Sequence, residues 1–318
     1  MSLTATLVSA GPAHAAPTTP SASPDIDQVR AKVNDLFHQA EIADEQVNNA
    51  RLHIRTSKTT LAALRSDLDR QEKVVDGLRS QVASSLVEQY QGASISTAGQ
   101  VALSSDPTSF IDGLNTMTAY NSQRGEVMTQ YTVALQRLKL RQKAVKDEAG
   151  ALAKTEAKVV AAKAVIEKKA AAAQQELDGL EAKQRAEILA GDYSGGIPEV
   201  DATGKAAVAL KYALAQVGKA YVWGAAGPNA FDCSGLMMRA WGAAGIGLPH
   251  SSRAQAGYGT PVSQSELRPG DLVFYYHPIS HVGMYIGSGL IVNAENPSVG
   301  VKITGLNSMP YAGGVHLG

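Results

Sequence analysis

From Ile26 onward apolar residues return every seven positions, at Ile26, Val33, Ala40, Val47, Ile54, Leu61, Leu68, Val75 and Val82, with Val29, Leu36, Leu64 and Leu78 at a partner position. A repeat of this length marks a coiled-coil seam, because it keeps one stripe of an α-helix turned toward a partner helix. Ser57, Gln71 and Ser85 interrupt it. Ser23 and Pro24, followed by Asp25 and Asp27, supply a helix start, since proline suits the first helical position and acids suit the positive end of the dipole. The pattern lapses from Gln91 to Pro107, then resumes through Leu114, Met128, Leu135, Val145, Leu152, Val159, Ile166, Ala173 and Leu180. Two long helices flanking a break suggest an antiparallel hairpin on the order of 90 to 100 Å long; a parallel homodimer would also bury the seam, but matched seams within one chain favour the intramolecular pairing.

The periodicity changes after Gly191-Asp192-Tyr193-Ser194-Gly195-Gly196-Ile197-Pro198, a stretch that reads as a flexible linker. Asp271–Tyr276 and His281–Ile286 read as strands joined by a short turn, and a third strand, Leu290–Asn293, follows Gly287-Ser288-Gly289. Both tryptophans, Trp223 and Trp241, fall in this part. The expected organisation is a leader or unstructured segment at 1–24, a coiled-coil hairpin at 25–190, a linker at 191–204 and an α+β domain at 205–318. Lys and Arg number 29 against 29 Asp and Glu, which leaves no basic footprint for nucleic acid. Leu3–Val8 is a short apolar run followed by the small-x-small pattern Ala13-His14-Ala15-Ala16. It resembles an export signal lacking its positive start, and the expected location is the cell envelope or beyond.

In that setting the single cysteine, Cys233, is informative, because a thiol with no partner cannot form an internal disulfide and is open to oxidation. Asp232 suits the N-cap of the helix that follows, which would put Cys233 in the first turn, where the helix dipole favours a thiolate. A thiolate nucleophile needs a nearby general base. His38 and His53 fall in the hairpin, so the candidates are His250, His277, His281 and His316. His281 is favoured because it opens a strand, where it is held rigidly. His250 is expected to line a groove or cap a helix, and His277 to sit in a solvated turn. The base in turn needs an orienter. Asn293 can lie beside His281 on the neighbouring strand, with Glu295 as second candidate by side-chain parity. An oxyanion would be stabilised by the Cys233 N–H and a donor such as the Tyr221 hydroxyl. No zinc-ligand spacing such as His-Glu-x-x-His occurs, so no metal or other cofactor is expected.

Tyr221-Val222-Trp223-Gly224, Phe231-Asp232-Cys233-Ser234-Gly235-Leu236, Leu248-Pro249-His250-Ser251-Ser252-Arg253-Ala254-Gln255, Arg268-Pro269-Gly270-Asp271-Leu272 and His281-Val282-Gly283-Met284-Tyr285-Ile286-Gly287 resemble, in order, the signature blocks of the NlpC-type (NlpC and p-sixty) cysteine peptidases. The resemblance spans roughly residues 205 to 318. It implies a papain-like α+β domain that cleaves cell-wall stem peptides between D-isoglutamate and the diamino acid at position three, meso-diaminopimelate. It also implies Cys233 as nucleophile, His281 as base, Asn293 as orienter, and Tyr221, Asp232, Ser234 and Ser252 in the substrate and oxyanion pocket. The chain departs from the family pattern at Ala225, often glycine, and at Asn293, more often histidine or glutamate. Chains combining a coiled coil with such a domain are similar to the actinobacterial RipC-like division hydrolases. That likeness implies that the hairpin tip, residues 93–113, docks an FtsX-type membrane protein of the FtsE–FtsX complex. Two other readings are an amidase or acyltransferase using the same Cys233–His281 pair and a non-catalytic wall-binding adaptor. A tethered hairpin has a high effective concentration near Cys233, which raises the further expectation that it masks the site.

Overall fold

The computed structural model describes residues 25–90, 107–190 and 193–317. The expected leader at 1–24 and residues 93–106 of the expected tip lie outside them. Helix α1 spans Ile26–Tyr90 and α2 spans Pro107–Asp178. At about 1.5 Å per residue each is about 100 Å long. Cross-helix contacts run in opposite directions along the two, from Lys32–Glu176 through Lys58–Glu156 to Asp67–Arg141, so the pair is an antiparallel hairpin. Its seam buries Val33, Ala40, Val47, Leu61 and Val75 against residues such as Ala134, Ala162, Ile166, Ala173 and Leu177. Gln71, read as an interruption, is buried and satisfied, donating from Nε2 to the Ala134 carbonyl at 3.0 Å. The second helix does not run on to residue 190. It ends at Asp178, and after a turn containing Gly179 a short helix α3, Ala182–Ala190, lays Ile188 against Val33, Phe37, Ala173 and Leu177.

The rest is an α+β domain. Helix α4 (Gly204–Leu214) and helix α5 (Cys233–Ala243) pack on an antiparallel six-stranded sheet. Its strands are β3 (Thr260–Val262), β4 (Leu272–Tyr275), β5 (His281–Gly287), β6 (Leu290–Asn296), β7 (Gly300–Gly305) and β8 (Tyr311–His316), in the order β3-β8-β4-β5-β6-β7. Two short parallel strands, β1 (Ala220–Tyr221) and β2 (Ala230–Phe231), lead into α5, and α6 (Ser252–Gln255) lies beyond it. The buried core joins Leu236, Met237 and Trp241 of α5 to Leu272, Phe274, Val282, Met284 and Val292 of the sheet. In the segment read as a flexible linker, Tyr193, Val200 and Ala202 pack against this core, because apolar side chains in a short tether gain more by covering the domain than by remaining in water.

The hairpin does not stand clear of the α+β domain. Trp223 packs against two apolar clusters of the hairpin, one around Val33 and Leu177 and one around Ala40, Ala43 and Ile166.

Candidate active site and its internal occupant

Cys233 opens α5. Its N-cap, Asp232, has an extended backbone (φ −91°, ψ 176°), and its Oδ1 accepts from the Gly235 N–H at 2.5 Å, satisfying one of the unpaired donors of the first turn. Gly235 is required here, since a Cβ would meet the Ala225 carbonyl oxygen at 2.2 Å. The close approach of the Ala225 loop is fixed by the bond from the Asp232 N–H to that same carbonyl, at 2.8 Å. His250 Nε2 lies 2.7 Å from Asp232 Oδ2, and the Ser234 hydroxyl donates to Asp232 Oδ1 at 3.4 Å.

His281 begins β5 and is 1% exposed. Its Nε2 lies 3.1 Å from Asn293 Oδ1, while Asn293 Nδ2 donates to Thr304 Oγ1 at 2.9 Å. With the amide nitrogen spent on Thr304, the amide oxygen accepts from Nε2–H, and Nδ1 is left to face the nucleophile. Glu295 does not take this place. The register shifts between Ala294 and Asn296, which breaks the parity argument, and Glu295 pairs with Lys302 at 3.1 Å. The Tyr221 hydroxyl is buried with no hydrogen-bond partner, and the Cys233 charge is among the causes that raise its pKa, after burial. Cys233, His281, Asn293, Tyr221, Asp232 and Ser234 thus converge, and His277 and His316 do not join them: His316 Nδ1 pairs with Asp271 at 2.6 Å.

Residues of α1 that sequence reasoning did not single out fill the cleft. Glu41 Oε1 makes a short hydrogen bond to His281 Nδ1. Asn48 Nδ2 donates to Asp232 Oδ2 at 3.1 Å, and the Arg51 guanidinium rests against Gly224, where a Cβ would approach Nη1 to 2.4 Å. Glu45 is clamped. Its Oε2 accepts from the Ser252 N–H at 3.0 Å and the Ser252 hydroxyl at 2.8 Å, and its Oε1 from the Ser251 hydroxyl at 2.5 Å and the Arg253 N–H at 3.1 Å. His38 stacks on Tyr276 with ring centroids 3.7 Å apart. The helix therefore occupies Ser252 and Asp232, two of the expected substrate contacts, and His281, the expected base. One signal was present in the chain: Glu41, Asp44, Glu45, Asn48 and Asn49 recur at three- and four-residue spacing, so one helix face is acid and amide beside the apolar seam.

The electrostatics reverse the thiolate expectation. Burial pushes the Cys233 thiol well above its ordinary value, and the charges of Glu41, Asp232, Glu45 and Asp44 push the same way, so the helix N-terminus does not prevail here. For His281, burial acts to lower the pKa, but the charge of Glu41, its hydrogen bond and that of Asn293 outweigh it, and the net direction is up. Asp44 is pushed up to about 8, by burial first and then by Asp232. With the hairpin docked, the thiol keeps its proton and the imidazole has a carboxylate where the thiol should be.

The NlpC/P60 family matches residues 218–314. A probable endopeptidase of Mycobacterium tuberculosis is 47% identical over 116 residues, covering 36% of this chain and 30% of that protein. One from Corynebacterium glutamicum is 46% identical over 99 residues, 31% of this chain and 47% of the relative. The probable endopeptidase p60 of Listeria monocytogenes is 49% identical over 85 residues, 26% of this chain and 18% of the relative. The chain thus spans less than half the length of each of these curated relatives. Among solved structures, the NlpC/p60 domain of the peptidoglycan hydrolase SagA is 29% identical, with 35% of this chain and 98% of that chain covered and a TM-score of 0.34.

Proposed function

We propose that the NlpC/P60 domain at residues 218–314 makes this chain a cysteine endopeptidase of peptidoglycan, cleaving stem peptides at the D-isoglutamyl bond to meso-diaminopimelate, and that α1 holds it inactive. The observation that carries the reading is the alignment of Cys233 at a helix start, His281 with its Nε2 on Asn293, and an unpartnered Tyr221 hydroxyl. A buried hydroxyl without a partner is costly, and a site whose substrate supplies the acceptor explains it.

The chemistry follows from these groups. Once Glu41 leaves, Nδ1 of His281 takes the thiol proton. The Cys233 sulfur then attacks the carbonyl carbon, and the oxyanion is held by the Cys233 N–H and the Tyr221 hydroxyl. His281 gives its proton to the departing amine, leaving a thioester. His281 next removes a proton from water, which hydrolyses the thioester and restores the thiol. Asn293 keeps the ring in the tautomer with Nδ1 free and, being neutral, orients the imidazolium with less charge stabilisation than a carboxylate would provide. The clamp around Glu45 supports a substrate carboxylate or amide at Ser252 once the helix withdraws.

Release requires a partner that moves the hairpin. Leu86 and Val87 of α1 and Phe110, Ile111 and Leu114 of α2 are exposed at the end of the lever far from Cys233, which supports docking of an FtsX-type membrane protein there during septal wall remodelling. No described helix is long and apolar enough to cross a membrane itself. Mass spectrometry of defined muropeptides incubated with the Glu45→Arg chain, and with its Cys233→Ala counterpart, tests the reaction. Products split after D-isoglutamate and absent with the cysteine variant are expected, and an amidase product pattern would overturn the bond assignment. Loss of binding to the FtsX extracellular loop on deleting residues 93–113 is expected, and unchanged binding would remove the tip from the scheme.

A further inference from the structure

Cys233, His281 and Glu41 each offer one ligand atom, and these atoms all lie within 4.8 Å of one another at buried positions. Two of the residues belong to the reaction. The third comes from the hairpin and is present only when α1 is docked. We propose that the docked chain is a zinc site, in which Cys233 Sγ, His281 Nδ1 and a Glu41 carboxylate oxygen bind one Zn²⁺ that locks the hairpin onto the cleft.

The donor set suits that ion. Thiolate, imidazole and carboxylate are the three side-chain types that zinc accepts, at about 2.3, 2.0 and 2.0 to 2.2 Å, so ligand atoms around a tetrahedral ion sit about 3.3 to 3.7 Å apart. A cluster confined within 4.8 Å needs only side-chain adjustment of about an ångström to meet this, chiefly a small withdrawal of Glu41 from its direct bond to His281. The ring is already oriented as a ligand, because Nε2–H donates to Asn293 Oδ1 at 3.1 Å, the outer-shell arrangement that fixes a metal-binding histidine, and a cation that displaces the proton Nδ1 shares with Glu41 would take its place.

Charge points the same way. Docking gathers Glu41, Asp44, Glu45 and Asp232 in one buried patch, faced by Arg51, His250 and His281. A divalent cation that displaces the thiol proton to solvent and sits between Glu41 and the resulting thiolate answers that excess of acid where it is greatest. An entry path exists as well: a cavity of about 450 Å³, lined by His38, Glu41, Tyr276, His281 and Lys302 among others, leads from solvent to the Glu41–His281 pair. The site is inhibitory, since it sequesters the nucleophile and the base together, and it shields the thiol from oxidation.

The inference rests on the docked hairpin and not on the proposed activity, so its test involves no peptidase assay. The metal-stripped full-length chain is titrated with Zn²⁺ alone by calorimetry and with Co²⁺ followed by absorption. One equivalent of zinc is expected, and a thiolate-to-cobalt charge-transfer band that is absent from Cys233→Ser. Glu41→Gln is expected to weaken zinc by at least about tenfold. Glu45→Arg retains all three ligands but releases the helix, and it is expected to weaken zinc as strongly. Unchanged affinity in both variants, or a cobalt complex of the wild-type chain without the thiolate band, would overturn the site. The cobalt band is read on the wild-type chain, so the result does not depend on any variant folding.

Discussion

The two halves of helix α1 obey different rules. Beyond Ile54 the buried positions are those of an ordinary coiled coil, Leu61 and Val75 with the satisfied Gln71, and seam residues such as Leu64, Leu68 and Val82 are half-buried. Between Phe37 and Arg51 the same helix buries Glu41, Asp44, Glu45 and Asn48, each no more than 6% exposed. Nothing in a coiled coil calls for four buried polar residues in a row of turns, and each would be costly to bury unpaired. Glu41, Glu45 and Asn48 are paired across to His281, Ser251, Ser252 and Asp232, while Asp44 accepts from Asn48 Nδ2 on the same helix at 3.3 Å. The distal half is shaped by its partner helix and the proximal half by the candidate active-site cleft, so one helix serves two packing environments.

The sharpest way to break this division is at the chemistry beneath the plug. In a Glu45→Arg background, Tyr221→Phe is expected to lower kcat on muropeptides by about 10² to 10³-fold with little change in KM, the scale of losing one oxyanion donor. A loss confined to KM would instead make Tyr221 a binding residue. Glu45→Arg alone is expected to raise full-chain turnover by up to about 100-fold. The clamp holds a buried carboxylate with several charge-assisted hydrogen bonds, and losing about 3 kcal/mol of them shifts docking by that factor. The mirror substitution in the distal half, Gln71→Ala, removes one bond to the Ala134 carbonyl and should leave turnover within about twofold. Equal activation by the two would erase the distinction between plug and lever.

Smaller effects refine the picture. Asn293→Ala in the Glu45→Arg background is expected to lower kcat about tenfold, because the base loses its orienter and not its proton-transfer capacity. The pH dependence of docking reports Asp44, whose carboxyl rises from an ordinary 3.8 to about 8 in the docked state. The docked state binds the extra proton between these values. Its contribution is therefore complete below about 3.8 and is lost progressively as pH rises through about 8. With a chelator present, wild-type turnover relative to Glu45→Arg should climb across this window, and Asp44→Asn should flatten the climb. An identical slope in Asp44→Asn would assign the dependence to another group.

Much of this was legible residue by residue. The seven-residue repeat carried the hairpin because coiled-coil packing depends on local spacing, and the block around Cys233 carried the helix start because capping is local too. The orienter was harder. Asn293 and Glu295 have the same parity on an ideal strand, and only the irregularity between Ala294 and Asn296 separates them. His38 lies in the hairpin by sequence, far from Cys233 along the chain, yet it stacks on Tyr276 at the edge of the cleft. The short return helix Ala182–Ala190 was hidden because Leu180 and its neighbours continue the apolar spacing across the turn at Gly179.

By itself, then, the sequence determined the hairpin, the α+β domain and the candidate nucleophile and base, since each rests on periodicity, capping or a contiguous motif. Tertiary structure alone decided what the candidate catalytic groups face. Glu41 meets His281 across 240 positions of chain, and Glu45 meets Ser252 across 207. Such contacts depend on how the hairpin and the α+β domain dock, through Trp223 on the hairpin and carboxylates on the cleft, and no local pattern of residues encodes that geometry.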